Sequence, residues 1–153
     1  MSAFRTAGDV CTRDVVVAFR STALNEAARA MRERHVGSLV VVEETAEGRV
    51  VCGMLTDRDI VTAVVAKDAD AATLRVGDVM TEDVTTVREG DSLHDVIALM
   101  RHRRVRRVPV TAAQERLVGV LAADDVIRLV AEELHGLTQA LAEQPRVEQL
   151  VRP

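Results

Sequence analysis

The residue pair with the most evident chemistry is Thr56 and Asp59, carried by Gly53-Met54-Leu55-Thr56-Asp57-Arg58-Asp59-Ile60 and echoed by Gly119-Val120-Leu121-Ala122-Ala123-Asp124-Asp125-Val126. Thr-x-x-Asp at a helix start is nearly a capping box: the hydroxyl accepts from a first-turn amide, and the carboxylate faces the positive helix end. The same position can also bind a ligand, because a carboxylate accepts from both hydroxyls of a ribose while free amides face an anion. The two roles are compatible. In the second copy Ala122 replaces the hydroxyl while Asp125 is kept, so a ribose there loses one hydrogen bond, worth about 0.5–1.5 kcal/mol. The cleft of Thr56 and Asp59 is therefore expected to be the tighter one, unless cations elsewhere reverse the order.

Such cations exist in Arg101-His102-Arg103-Arg104-Val105-Arg106-Arg107. At a helix C-terminus they suit the negative dipole end and can be a solvated face. A guanidinium also binds phosphate oxygens through its planar fork. The first copy has Arg34-His35-Val36-Gly37-Ser38 instead, with less charge and more room for backbone approach. Catalytic residues are not expected: no Ser or Cys stands beside a plausible base, and no phosphate-binding glycine loop is present. His35, His94, His102 and His135 have no metal spacing. Cys11 and Cys52, far apart and outside any CxxC motif, read as partly buried thiols.

The elements that must position these residues come from a duplication. An offset of 69 aligns Gly8-Asp9-Val10 with Gly77-Asp78-Val79, Met31-Arg32 with Met100-Arg101, and Val41 with Val110. The offset then falls to 66, because the turn at residues 43–49 is longer than its counterpart at 112–116, a difference loops absorb cheaply. Each copy predicts a short strand (Val15-Val16-Val17; Val84-Thr85-Thr86-Val87) and a helix with an i, i+3, i+4, i+7 stripe (Leu24, Ala27, Ala28, Met31; Leu93, Val96, Ile97, Met100). A hairpin of two strands comes next, then a second helix from Thr56 or Ala122. The order is β-α-β-β-α, twice, in an α+β fold. The expected organisation is an N-terminal tail at 1–7, repeats at 8–66 and 77–130, a linker at 67–76 and a helical extension at 131–153. In that extension Leu134, Leu137 and Leu141 continue an apolar stripe that Gly136 weakens and Pro145 is expected to break. Its apolar side covers either the edge of the module or another subunit.

Composition sets limits on function. With 48% hydrophobic residues and 29% charged in 153, the chain has enough apolar surface for a core shared by two small units. Phe4 and Phe19 are its only aromatic residues, so any flat ring system would have to be sandwiched by aliphatic side chains. The candidates are residues 15–17, Val36, Leu39 and Met54 in one copy, and Val84, Val105, Val108 and Leu121 in the other. A net charge of -4 and the missing aromatics count against nucleic acid as a partner. No apolar run reaches the roughly 20 residues of a membrane span, and residues 1–9 lack a secretory pattern, so the expected location is the cytoplasm.

Taken together, these features give a chain that resembles a tandem pair of CBS domains, also called a Bateman module. The motifs that carry the resemblance are Gly77-Asp78-Val79-Met80, Arg107-Val108-Pro109-Val110 and the Gly-x-x-Thr-x-x-Asp run at Gly53, in order and duplicated. The resemblance implies two repeats packed about a pseudo-two-fold axis with two clefts between them. In the family those clefts commonly take AMP, ADP, ATP, NAD or S-adenosylmethionine, and such pairs often form homodimers through their helices. Carried onto this sequence, ligand-binding positions are implied at Val16, Val36, Gly37, Thr56, Arg58 and Asp59, and at Thr85, Arg106, Arg107, Val108, Pro109 and Asp125. The second site is expected to favour the more phosphorylated ligand through Arg106 and Arg107. The expected function is that of a regulatory module with no required cofactor or metal, signalling to an unidentified protein; the alternative is a ligand-free dimeric scaffold.

Overall fold

The computed structural model describes residues 5–151, the backbone alone from 144 onward. The first repeat runs α1 (Ala7–Val10), β1 (Val17–Ala18), α2 (Leu24–Arg34), β2 (Ser38–Thr45), β3 (Gly48–Thr56) and α3 (Asp57–Ile60), which passes into a π-helical turn at Val61–Val65. After a 3-10 turn at Ala71–Thr73 the second runs α4 (Val76–Val79), β4 (Val87–Arg88), α5 (Leu93–Arg103), β5 (Arg107–Thr111), β6 (Leu117–Ala122) and α6 (Ala123–Val151).

Each repeat builds one three-stranded sheet, β1-β2-β3 or β4-β5-β6, whose first pair is parallel and second antiparallel. The helix stripes face these sheets, apart from Ile97 of α5, which is exposed. Leu24, Ala27 and Met31 of α2 are buried against Leu39, Val41 and Leu55, and Val96 and Met100 of α5 against Val108, Val110 and Leu121. Burying such side chains stabilises by about 1.5–3 kcal/mol each, so the aliphatic cores need no aromatic anchor.

The short helices before β1 and β4 cross over to the opposite repeat. Ala7, fully buried, lies in the core of the second repeat, and its counterpart Val76 lies in the core of the first. Backbone bonds secure both crossings: the Gly8 amide donates to the Glu89 carbonyl at 2.9 Å, and the Gly77 amide to that of Arg20 at 3.0 Å. Immediately downstream, Thr12 exchanges two 2.9 Å backbone bonds with Val120, while Thr81 exchanges bonds of 2.9 and 3.0 Å with Met54. Only a residue without a side chain fits beneath these crossings. A Cβ on Gly119 would lie 2.6 Å from the Thr12 carbonyl oxygen and 2.7 Å from Cys11 Sγ; one on Gly53 would lie 2.9 Å from the Thr81 oxygen. Both hairpins bulge beside the glycine, with register shifts between Val41 and Val42 and between Val110 and Thr111, and a bulge bends its strand locally.

The crossings explain a departure from the expected strands. The sequence pattern has the runs from Val15 and Val84 pairing throughout, yet pairing begins only at Val17 and at Val87. The upstream residues are spent in crossing to the other repeat. Burial also raises both thiols, Cys11 and Cys52, above the ordinary cysteine range, so they stay protonated at neutral pH.

The C-terminal extension differs more. Side chains from residue 131 to 143 are all exposed, so the expected cover over the module's own edge is not formed. Nor does the helix stop at Pro145: α6 is helical to Val151. Proline removes one amide donor and crowds the preceding turn, a cost of about 3 kcal/mol that bends a helix without always ending it. Residues 1–4 and 152–153 of the expected tail segments lie outside the described residues.

Because backbone cannot yield as a flexible side chain can, Gly119→Ala should destabilise the protein by about 1–3 kcal/mol, and Gly53→Ala by less, since its nearest carbonyl oxygen is 2.9 Å away rather than 2.6 Å. Urea unfolding of the two variants checks the order; equal midpoints to the parent would show that the crossings tolerate a side chain.

Candidate functional site

Two cavities lie where the repeats meet. The larger, about 720 Å³, is lined from the first repeat by Gly37, Ser38, Met54, Thr56, Asp57 and Arg58, and from the second by Thr81, Asp83, Val84, Thr85, residues 104–107, Ala122 and Asp124. The smaller, about 180 Å³, is lined by Thr12, Asp14, Val15, Val16, Val36, Ser38 and Val40 with Arg107, Val120, Ala122 and Asp125. By the 69 and 66 offsets these linings are images of one another. Thr12, Asp14, Val15, Val16 and Val36 correspond to Thr81, Asp83, Val84, Thr85 and Val105.

Each cavity therefore combines the lead-in segment and helix end of one repeat with the strand end and helix start of the other. The sequence pattern assigns Thr56 to one cleft and Arg106 and Arg107 to its twin; the structure places all three in the larger cavity. The reason is the crossing, which brings Thr81 onto β3 at Met54, with Val84 and Thr85 lining the same cavity. Of the other expected residues, Gly37, Arg58 and Thr85 also line the larger cavity, while Val16, Val36 and Asp125 line the smaller. Val108 and Pro109 line neither: both are buried in β5, opposite Leu121 and Val120. Leu39 and Leu121 are likewise core. Ser38, Asp57, Thr81, Asp83, Arg104 and Asp124 line the larger cavity without having been expected there, although the duplication, applied to residues beside each motif, marks several of them.

Of the two roles open to it, Asp59 takes the cap. It forms the capping box of α3, its Oδ2 accepting from the Thr56 amide at 2.9 Å while Thr56 Oγ1 accepts from the Asp59 amide at 3.1 Å. This turns Asp59 toward backbone, outside the lining of either cavity. Asp125 makes no such bond to the Ala122 amide; it lines the smaller cavity with Arg128 Nη1 3.8 Å from its Oδ1.

Arg107 belongs to both linings. Its Nη1 donates to Ser38 Oγ at 3.1 Å, and because Ser38 and Arg107 are counterparts, this bond spans the pseudo-two-fold axis. Beside it, a Cβ on Gly37 would come 3.2 Å from Asp57 Oδ2 and 3.6 Å from Arg107 Nη1, so the bare backbone leaves that corner open. The helix start is tied to the same loop: the Asp57 amide donates to the Gly37 carbonyl at 3.0 Å, and the Ala123 amide to that of Arg106 at 2.8 Å.

The two cavities differ in charge. The larger has Arg58, Arg104, Arg106 and Arg107 against Asp57, Asp83 and Asp124, four cations to three anions. The smaller has Arg107 against Asp14 and Asp125, one to two. One ion pair crosses the rim of the larger cavity, Arg106 Nη2 to Asp124 Oδ1 at 3.5 Å, and both side chains are exposed enough for it to contribute little to stability. Arg104 closes α5 at φ 55°, as His35 closes α2 at φ 53°. A left-handed residue with a Cβ costs about 1–2 kcal/mol, and glycine would avoid most of this.

The CBS domain family model matches residues 7–66 and 76–132. The chain belongs to this family. Hypoxic response protein 1 of Mycobacterium tuberculosis is 32% identical over 134 residues, spanning 88% of this chain and 90% of that protein. An uncharacterized Methanopyrus kandleri protein is 30% identical over 122 residues; the match covers 80% of this chain and 61% of that protein. Among solved structures, the cytosolic domain of the Mg2+ channel MgtE in complex with ATP is 26% identical at a TM-score of 0.70, covering 83% of this chain and 49% of that one. The chain is thus a tandem CBS pair of α+β fold. Among the described residues no group of three or more His, Cys, Asp or Glu side chains is placed to hold a metal ion.

Replacing each left-handed cap separates strain from function. Arg104→Gly and His35→Gly should each raise stability by about 0.5–1 kcal/mol, which thermal unfolding would register as a rise of a few degrees. A fall in both variants would show that the side chains stabilise their caps.

Proposed function

We propose that this CBS pair is a regulatory module that binds an adenine nucleotide in its larger cavity and signals occupancy through the relative placement of its repeats. The observation that carries the reading is the concentration of four arginines from two repeats around a cavity of about 720 Å³, within the 300–1,000 Å³ usual for small-molecule sites. Arg104, Arg106 and Arg107 take the phosphates, bidentately where two oxygens are presented. Met54, Val84 and Val105 flank the base by dispersion contact, and Thr56 Oγ1, which accepts from the Asp59 amide, keeps its proton to donate to a ribose oxygen. Likeness to the ATP-bound MgtE domain supports a nucleotide of this class.

The smaller cavity, with about 180 Å³ and one more aspartate than arginine, suits an uncharged nucleoside portion at most. Val16 and Val36 form its apolar wall and Asp125 its ribose acceptor. In this reading the Thr56 side stays the tighter one, as Ala122 implies, but the cations lie there too and not in a separate second site, and the carboxylate that lines a cavity is Asp125 rather than Asp59.

The module is not an enzyme in this reading and needs no cofactor; it acts as a homodimer in the cytoplasm on a regulated protein. No helix among the described residues is long and apolar enough to cross a membrane.

Thermal unfolding with AMP, ADP, ATP and S-adenosylmethionine is the direct test. A ligand at 100 times its dissociation constant should add about 2.7 kcal/mol. In calorimetric titration Arg104→Ala should weaken ATP at least about tenfold and AMP less, since each charge-assisted bond is worth about 1.5–3 kcal/mol. No response to any ligand would favour the ligand-free dimeric scaffold, and equal losses for AMP and ATP would remove the phosphate role from Arg104.

A further inference from the structure

The exposed apolar residues of α6 are Ile127, Val130, Leu134, Leu137 and Leu141, between 52% and 64% exposed. Their spacing is three, four, three, four, the seam of a helix that pairs with another helix. The seam begins on the second CBS repeat and continues past its last matched residue, 132, into a segment that projects from the module: every side chain from 131 to 143 is exposed. A helix standing alone over that length is marginal in water, so its stability has to come from a partner.

We infer that the seam is covered by α6 of a second copy, forming a two-stranded coiled coil that holds the dimer together. One observation selects a second copy over a different protein, and two more show that the seam can hold it. First, the positions flanking the seam are Ala131, Glu133, Thr138 and Ala140, a single charge in four, so nothing repels an identical helix. A seam that chooses a different partner usually marks it with complementary charges at those positions, and this one does not. Second, at 52–64% exposure the five side chains bury roughly 500 Å² per copy, so two copies reach the order of 1,000 Å² at which specific interfaces begin. Third, helix α6 spans about 43 Å at 1.5 Å per residue, which gives the pairing several turns in which to be specific.

The inference deepens the homodimer of the proposed function by assigning its surface, and it does not depend on the ligand. Sedimentation equilibrium of the full chain should give twice the 16.7 kDa chain mass. The Leu134→Glu/Leu137→Glu variant should sediment as a monomer, its dimer dissociation constant raised at least about 100-fold, because two charges enter an apolar seam. Both positions lie away from the cores, so thermal unfolding of the CBS pair should stay cooperative in that variant. Glu132→Lys/Glu143→Lys, off the seam, should leave the mass unchanged. A Leu134→Glu/Leu137→Glu variant that dimerises as tightly as the parent would overturn the seam while leaving the dimer standing. A parent that is monomeric at about 100 µM would overturn both.

Discussion

The structure depends on two places where backbone lies directly on backbone. At Gly119 and Gly53 the lead-in segment of one repeat passes over a hairpin strand of the other, so closely that a methyl group would fall within 3 Å of a carbonyl oxygen. Each crossing is held by two backbone hydrogen bonds, and each brings a buried aliphatic residue, Ala7 or Val76, into the opposite core. Neither repeat therefore has a complete core of its own. A half of this size would bury too little surface to fold independently, and the exchange of lead-in segments replaces what each half lacks. The cavities exist for the same reason: the crossing segment supplies one wall and the hairpin it crosses supplies the other.

This exchange also marks how far the fold is legible in the sequence. The duplication, the helix stripes, the hairpins and the β-α-β-β-α order are local or periodic, and the residues stating them are adjacent or at fixed offsets. Leu24, Ala27 and Met31, or Val108 and Val110, lie in the cores as their spacing implies. The family match and the TM-score of 0.70 agree with that order. The pairing of Thr81 with Met54 or of Thr12 with Val120 is not legible, because nothing in a strand's own residues names its partner in another repeat. From that one gap come the late start of β1 and β4 and the assignment of Thr56 and Arg107 to separate clefts.

Asp59 shows a different limit. Its spacing from Thr56 is equally good for a capping box and for holding a sugar, and the structure adopts the cap, with two reciprocal bonds. Asp125, at the corresponding place in the second repeat, lines the smaller cavity with Arg128 beside it. Two carboxylates at equivalent positions thus meet different surroundings, which spacing alone does not disclose. The left-handed caps carry a related message: an arginine held at φ 55° on a cavity wall is costlier than glycine, and the cation it presents there is the feature glycine would lose.

Arg107 joins these points into a coupling argument. It lines both cavities and, through Ser38, sits on the axis relating the two repeats. A guanidinium has one orientation at a time, so an anion that draws it toward the larger cavity withdraws it from the smaller and from Ser38. If both cavities take ligands as proposed, occupancy of one would alter affinity at the other, by an equal factor in both directions, since linkage is reciprocal. The bond to Ser38 is exposed and therefore weak, so turning the side chain costs little, on the order of 1 kcal/mol. That sets the scale of the coupling at roughly fivefold in affinity, enough to grade a response and too small to act as an all-or-none switch. Because each ligand would also touch both repeats, any larger effect has to come from moving the repeats against one another, and the backbone crossings at Gly53 and Gly119 limit how far they can go.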